Sequence, residues 1–215
     1  MGLFSKKEAC PICGREVKGL FLVKISEKQT LCKDCSKQVS MQEDLLKTAT
    51  PDFIREHLDY RRKNAELYTS AHWDAEFSFF GLHIGADAEK KLVYLSHDQM
   101  HNEDNPTVFS FDQITGYELF RLKKKVDDAS EAGETAIESG LTALGGIARL
   151  VSSKSSNTTD YFRLCLTTTD PYWPAVDLKI TFTPSQLYGI GGYHKDVEDG
   201  CQMIKRIVRK EPIRI

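Results

Sequence analysis

No apolar run in this chain approaches the roughly 18 residues needed for a membrane-crossing helix, and the N-terminus lacks a signal-peptide core. These two absences predict a cytosolic protein without a transmembrane segment. A phosphate-binding Gly-x4-Gly-Lys-Ser/Thr loop, a Gly-x-Ser-x-Gly elbow and a dinucleotide fingerprint are also missing. Gly189-Ile190-Gly191-Gly192 lacks the spacing and the following βα unit of such a fingerprint and reads as a loop. Little therefore points to an enzyme. Neither sign of charge dominates: 29 Lys and Arg stand against 31 Asp and Glu, a formal net charge of −2, which excludes a generally basic nucleic-acid coat. Tryptophan occurs twice and cysteine only six times in 215 residues, too sparse for a disulfide scaffold.

Four of those cysteines nevertheless fall into two pairs, Cys10-Pro11-Ile12-Cys13 and Cys32-Lys33-Asp34-Cys35. Each Cys-x2-Cys pair lets two thiolates reach one tetrahedral metal, and 18 intervening residues leave room for a hairpin that brings the pairs together. Four soft sulfur ligands suit Zn²⁺, one per chain, in a structural role because no coordination position remains for substrate. Gly14 fits the tight turn in which backbone amides point at the sulfurs. A redox pair is the other reading of Cys-x2-Cys, but it needs a single motif beside a βαβ pattern, which is absent. Cys165 and Cys201 read as small core residues. Leu3 and Phe4 beside Lys6 and Lys7 could touch a membrane surface, although a frayed or packed terminus explains them as well.

The spacing predicts three parts: a zinc ribbon over 1–45, a helical linker over 46–71, and a β-rich domain over 72–215. Gly19 to Ile25 and Gln29 to Leu31 read as hairpin arms between the cysteine pairs. So small a module cannot build an adequate core alone, and a bound structural zinc would supply roughly 10–16 kcal/mol of apparent folding free energy. Thr50-Pro51-Asp52 is a strong helix start. Phe53, Ile54, Leu58, Ala65 and Tyr68 follow at helical spacing, with Asp59 placed to pair with Lys63. From Trp73 the period changes to two. Seven short strands are expected at 77–80, 82–84, 91–95, 107–111, 116–122, 161–168 and 176–182, then an amphipathic helix over about 193–209 carrying Val197, Cys201, Ile204 and Val208.

This order of elements resembles a pleckstrin-homology-like (PH-like) domain: an α+β fold with an antiparallel split barrel and a C-terminal helix. The whole chain resembles a family of Gram-positive bacterial proteins with an N-terminal four-cysteine zinc ribbon followed by a PH-like domain. The residues that carry the resemblance are Cys10-Pro11-Ile12-Cys13-Gly14, Cys32 to Cys35, and Val108 through Leu119. It implies the ribbon and the PH-like domain and brings no activity with it. Residues at about 126–160 interrupt the strand pattern as a flexible insertion, whose Ile137, Leu141, Leu144, Ala148 and Val151 form a helical stripe broken by glycines.

The candidate contact residues are Ile137, Leu141 and Leu144 of the insertion, together with Tyr172 and Trp173 in the stiff Pro171-to-Pro174 turn. The alternatives are that the stripe folds back on its own barrel and that Trp173 covers the barrel's open end. His97 and His101, among Asp98, Glu103 and Asp104, could hold a metal on a helix but read better as a solvated loop. The zinc module is mildly basic and has few aromatics for base stacking, so nucleic-acid binding is weakly supported. The expected protein is a non-enzymatic zinc-binding adaptor whose PH-like domain meets a protein segment or an anionic membrane surface. It would be cytoplasmic, with peripheral membrane attachment as a variant. The alternative is a zinc-ribbon regulator associated with nucleic acid.

Overall fold

Apolar residues recurring at alternate positions from Ala75 onward give strands with a face to bury, and the chain folds them into two antiparallel sheets. The computed structural model describes residues 8–18, 22–79, 81–125, 135–136, 158–181, 199, 202–209 and 211. The first sheet contains β1 (Ala75–Phe79), β2 (Leu82–Asp87), β3 (Leu92–Ser96) and β4 (Thr107–Ser110) in sequential order. The second contains β5 (Ile114–Lys125), β6 (Thr135–Ala136), β7 (Thr158–Thr168) and β8 (Ala175–Thr181) in the order β6-β5-β7-β8. All seven expected strands are present. β6 is additional, lying within the expected insertion and pairing with Leu122 and Lys123. Of the expected split barrel the structure gives two sheets, and among the described residues no strand pair joins them.

The inward residues are those the alternation selects. Leu82, Ile84, Val93, Leu95 and Phe109 are buried from the first sheet, and Leu164, Leu166, Val176, Leu178 and Ile180 from the second. Each such side chain contributes about 1.5–3 kcal/mol relative to exposure. The final helix is described over 202–208, where Met203, Ile204 and Ile207 enter the same core and Val208 is half-buried. Of the expected face, Ile204 is buried and Val208 half-buried, while Val197 and Cys201 lie outside the described residues. Gly85 has a steric task on the other surface of the first sheet. The Tyr94 ring crosses its backbone so closely that a Cβ there would lie 2.2 Å from a ring carbon. Tyr94 in turn stacks edge-on with Trp73 and Tyr68 and donates its hydroxyl to Glu76 at 2.8 Å.

Three helices precede the sheets: α1 (Lys33–Ser36), α2 (Glu43–Thr48) and α3 (Pro51–Ser70). α3 starts as expected, with Thr50 Oγ1 accepting from the Phe53 N–H at 3.2 Å and Pro51 in the first turn. Its buried face does not follow the apolar residues. Ile54, His57, Arg61 and Asn64 point inward, whereas Phe53, Leu58, Ala65 and Tyr68 are only half-buried. The reason is what the helix covers. β4 is an outer strand whose free edge has backbone donors and acceptors, and burying them requires polar partners. Asn64 supplies both: Oδ1 accepts from Val108 N–H at 2.7 Å, and Nδ2 donates to Pro106 O at 2.6 Å and Asn105 Oδ1 at 2.7 Å. Arg61 donates to Asn105 O and, at 3.5 Å, to Thr107 Oγ1. Asp59 pairs with Arg62 rather than Lys63.

Asn64→Ala leaves a buried N–H and a buried carbonyl without partners, a cost of about 2–4 kcal/mol. Urea unfolding should show that loss, whereas Leu67→Ala, at an exposed position, should change stability by less than about 0.5 kcal/mol.

Candidate metal centre

Cys10 and Cys13 flank a reversal of the chain held by its own backbone. Cys10 N–H donates to Arg15 O, Gly14 N–H donates to Cys10 O, both at 2.8 Å, and Ala9 bridges Glu16 antiparallel. Gly14 has φ +72, the left-handed conformation expected of the turn glycine. The second pair is built differently from the first. The hairpin between the pairs contracts to a single bridge, Lys24 to Thr30, within the described residues. Cys32 then stands immediately before α1 and Cys35 within it, with Ser36 N–H donating to Cys32 O at 2.9 Å. Sequence spacing does not separate the two arrangements, because residues three apart share a face of a helical turn as they do in a knuckle.

The four sulfurs lie within 4.8 Å of one another, and Cys13 Sγ is 3.6 Å from Cys32 Sγ. A tetrahedral metal with bonds of about 2.3 Å requires sulfur–sulfur edges of about 3.8 Å, so this set fits a divalent cation. All four cysteines are free thiols. Their proton affinities diverge as a crowded anionic cluster requires. The Arg15 backbone N–H and guanidinium pull Cys13 down to about 6, while burial and hydrogen bonds with the neighbouring thiols push Cys35 up. Burial raises Cys10, but backbone N–H groups around it outweigh that and lower it. Four thiolates at this separation need a cation to coexist. Arg15 also pairs with Asp34 at 2.7 Å, bracing the two cysteine pairs, and Arg55 of α3 donates to Pro11 O at 2.7 Å. Among the described residues no other group of three or more His, Cys, Asp or Glu side chains is gathered as a metal site.

His97 and His101 do not meet. His97 is buried and accepts from the Gln99 N–H through Nδ1 at 3.1 Å, and burial lowers its pKa. His101 is exposed in a left-handed conformation with φ 50. Only His101 and the acids thus fit the solvated loop expected there. Ile137, Leu141 and Leu144 lie outside the described residues, as does Cys201, whereas Cys165 is half-buried on β7 with its pKa raised by burial.

Tyr172 and Trp173 are not an exposed tip. Each is 6% exposed, and they close the joint between the cysteine module and the sheets. The cause is Asp170, whose Oδ1 accepts from the backbone N–H groups of Tyr172 at 2.9 Å and Trp173 at 3.0 Å, curling the turn inward. Tyr172 packs against Phe53, His57 and Tyr60 of α3, with ring centroids 5.3, 4.4 and 4.7 Å away. Trp173 Nε1 donates to Ser40 O at 3.0 Å. Ser40 Oγ donates to Met100 O at 2.8 Å, and Ser40 N–H donates to His57 Nε2 at 3.1 Å. Three separate segments therefore converge on one serine. The sequence signals were present but faint: Asp170 two residues before Tyr172 marks an Asx turn, and His57 lies on the inward stripe through Ile54, Arg61 and Asn64.

His57 must be neutral to accept at Nε2, and burial, with the Arg61 charge nearby, depresses it to about 3. Burial likewise lowers Arg61 to about 10 and raises Tyr60, whose hydroxyl donates to Asp170 Oδ2 at 2.9 Å.

Residues 8–57 match the family described as Domain of unknown function (DUF4428). The matched stretch contains all four cysteines, Ser40 and His57. No curated protein and no solved structure matches the chain.

The depressed His57 predicts an acid-sensitive joint. Its contribution is complete above the unfolded value of about 6.5 and is lost as pH falls towards about 3, because only the unfolded chain readily takes the proton. His57→Gln keeps an acceptor and removes the titration. Between pH 7 and pH 5, urea unfolding should show wild type losing about 1–2 kcal/mol more than the variant.

Proposed function

We propose that the protein is a non-enzymatic interaction protein in which a structural Zn²⁺ on Cys10, Cys13, Cys32 and Cys35 holds the N-terminal module in shape. The observation that carries this reading is the closed four-sulfur geometry, all within 4.8 Å. Four protein ligands complete a tetrahedron, so the metal would supply folding free energy and offer no position to a substrate. Zinc is favoured over other metals by the all-thiolate set.

The partner would be a protein segment bound by a PH-like two-sheet domain. β1 supports this choice, since among the described residues it pairs only with β2 and its outer edge has no strand partner. The β4 edge is occupied by Asn64 and does not serve. An anionic membrane surface is a weaker match for a chain of net charge −2. Among the described residues no helix is long and apolar enough to cross a membrane.

Metal analysis of the purified chain should give one zinc per chain, and chelation should unfold residues 8–40; a folded, metal-free module would refute the zinc reading. Affinity purification from the native cell with cross-linking should recover a protein whose cross-links fall on residues 75–79. Recovery only by flotation with anionic vesicles, or only by salt-sensitive retention on nucleic acid, would overturn the assignment of partner.

A further inference from the structure

The four sulfurs are unequal in their access to solvent. Cys10, Cys32 and Cys35 are 2%, 7% and 5% exposed, whereas Cys13 stands exposed at the surface. A small oxidant arriving from water therefore meets Cys13 first. The sulfur 3.6 Å away belongs to Cys32, so a second thiol lies beside the first without any rearrangement of the chain. Reaction of one cysteine in such a cluster therefore places its product within reach of a resolving neighbour.

We propose that Cys13 is an oxidation site for hydrogen peroxide and small organic hydroperoxides, and that it then closes a disulfide with Cys32. The inference rests on the zinc reading above and adds a modification site to it. The Cys13 thiolate attacks the peroxide, its sulfur bonds to one oxygen, the O–O bond breaks, and hydroxide (or alkoxide) leaves. Cys13 is now a sulfenic acid. The Cys32 thiolate attacks the Cys13 sulfur, forms the S–S bond and expels hydroxide. Each sulfur has given up one electron, and the peroxide has accepted both. A disulfide is no longer an anionic thiolate ligand, so the cluster falls from four thiolates to two, Cys10 and Cys35, and its hold on a divalent cation is lost.

The consequence extends beyond the cluster. Cys35 lies in α1, and Val39 and Ser40 follow it within the same buried module. Ser40 meets His57, Met100 and Trp173. Loss of the metal would remove the anchor on the N-terminal side of that joint, so oxidation at one exposed sulfur would be read out at the seam with the sheets.

The test uses the full chain, first assayed for zinc. Titration with hydrogen peroxide in the presence of a chromogenic zinc indicator measures release, and alkylation followed by peptide mass spectrometry identifies the first disulfide. The expected result is zinc release concurrent with a Cys13–Cys32 disulfide, reversed by a dithiol reductant with added zinc. Cys13→His retains a zinc-binding side chain and removes the exposed sulfur, and it should slow peroxide-driven release about tenfold or more. A first disulfide that excludes Cys13, a zinc site that survives excess peroxide, or wild-type release from Cys13→His would each overturn the proposal. If Cys13→His does not load zinc, the disulfide map of the wild-type chain decides. A chain that purifies folded and without zinc refutes the zinc reading and this inference with it, whereas a zinc-loaded chain inert to peroxide refutes this inference alone.

Discussion

Ser40 has three polar groups, and each is committed to a different part of the molecule. Its N–H meets α3 at His57, its hydroxyl meets the turn after β3 at Met100, and its carbonyl takes the indole N–H of Trp173 from the β7–β8 corner. The residue is 2% exposed, so water cannot replace any of these partners. Ser40 can satisfy all three only if the preceding chain delivers it in one orientation. That chain is α1 and the residues after it, and α1 begins at the second cysteine pair. The position of four sulfur atoms thus sets the geometry of a joint on the far side of the module. Gln42 extends the same contact, its N–H donating to Tyr172 O at 3.0 Å.

The seam around Ser40 is polar where an ordinary interface between two folded parts would be apolar. Asp170 is 1% exposed and accepts from two backbone N–H groups and the Tyr60 hydroxyl, with the Gln113 amide at 3.5 Å. Arg61 is 6% exposed and faces a backbone carbonyl and a hydroxyl, with its Nε unpartnered by any described group. Such groups add little net stability, because their desolvation offsets most of the attraction. What they impose is register. A buried donor that misses its acceptor costs about 1–3 kcal/mol, so sliding α3 along β4 by a turn would be penalised several times over. The apolar residues nearby, Ile54 and Tyr172 among them, would tolerate such sliding more readily.

This seam also explains where the sequence was readable and where it was not. The strands were open to inspection because alternation is enforced by the pleat, and Val176, Leu178 and Ile180 are buried while Asp177 and Lys179 are exposed. The cysteine cluster was equally plain, since few chemistries use two Cys-x2-Cys pairs. The inward face of α3 was misread because hydrophobic periodicity registers apolar burial only, and three of its four buried positions are His57, Arg61 and Asn64. The direction of Tyr172 and Trp173 was left open for a related reason. Prolines stiffen a turn without directing it, and the direction came from Asp170, whose Oδ1 holds the following amides while its Oδ2 accepts from Tyr60. The helical setting of the second cysteine pair was not legible because its spacing fits a helical turn and a knuckle alike.

The limits of the matched stretch give these contacts a division. Residues 8–57 end two turns into α3, after His57 and before Arg61 and Asn64. Within the stretch lie the cysteines, Ser40 and both partners of the Ser40–His57 bond. Outside it lie Met100, Asp170, Trp173 and every residue with which Arg61 and Asn64 pair. The module therefore has one half of the joint built in, its serine already oriented by a histidine of its own helix. The remainder of α3 and the two sheets add the other half. A helix that starts in one unit and ends in the other is a rigid way to join them, because its first turns are fixed by the module and its later turns are fixed by β4. Rotation of α3 about its axis would break Ser40–His57 and Asn64–Val108 together. One helix is thus tied at its start to the cysteine module and further along to β4.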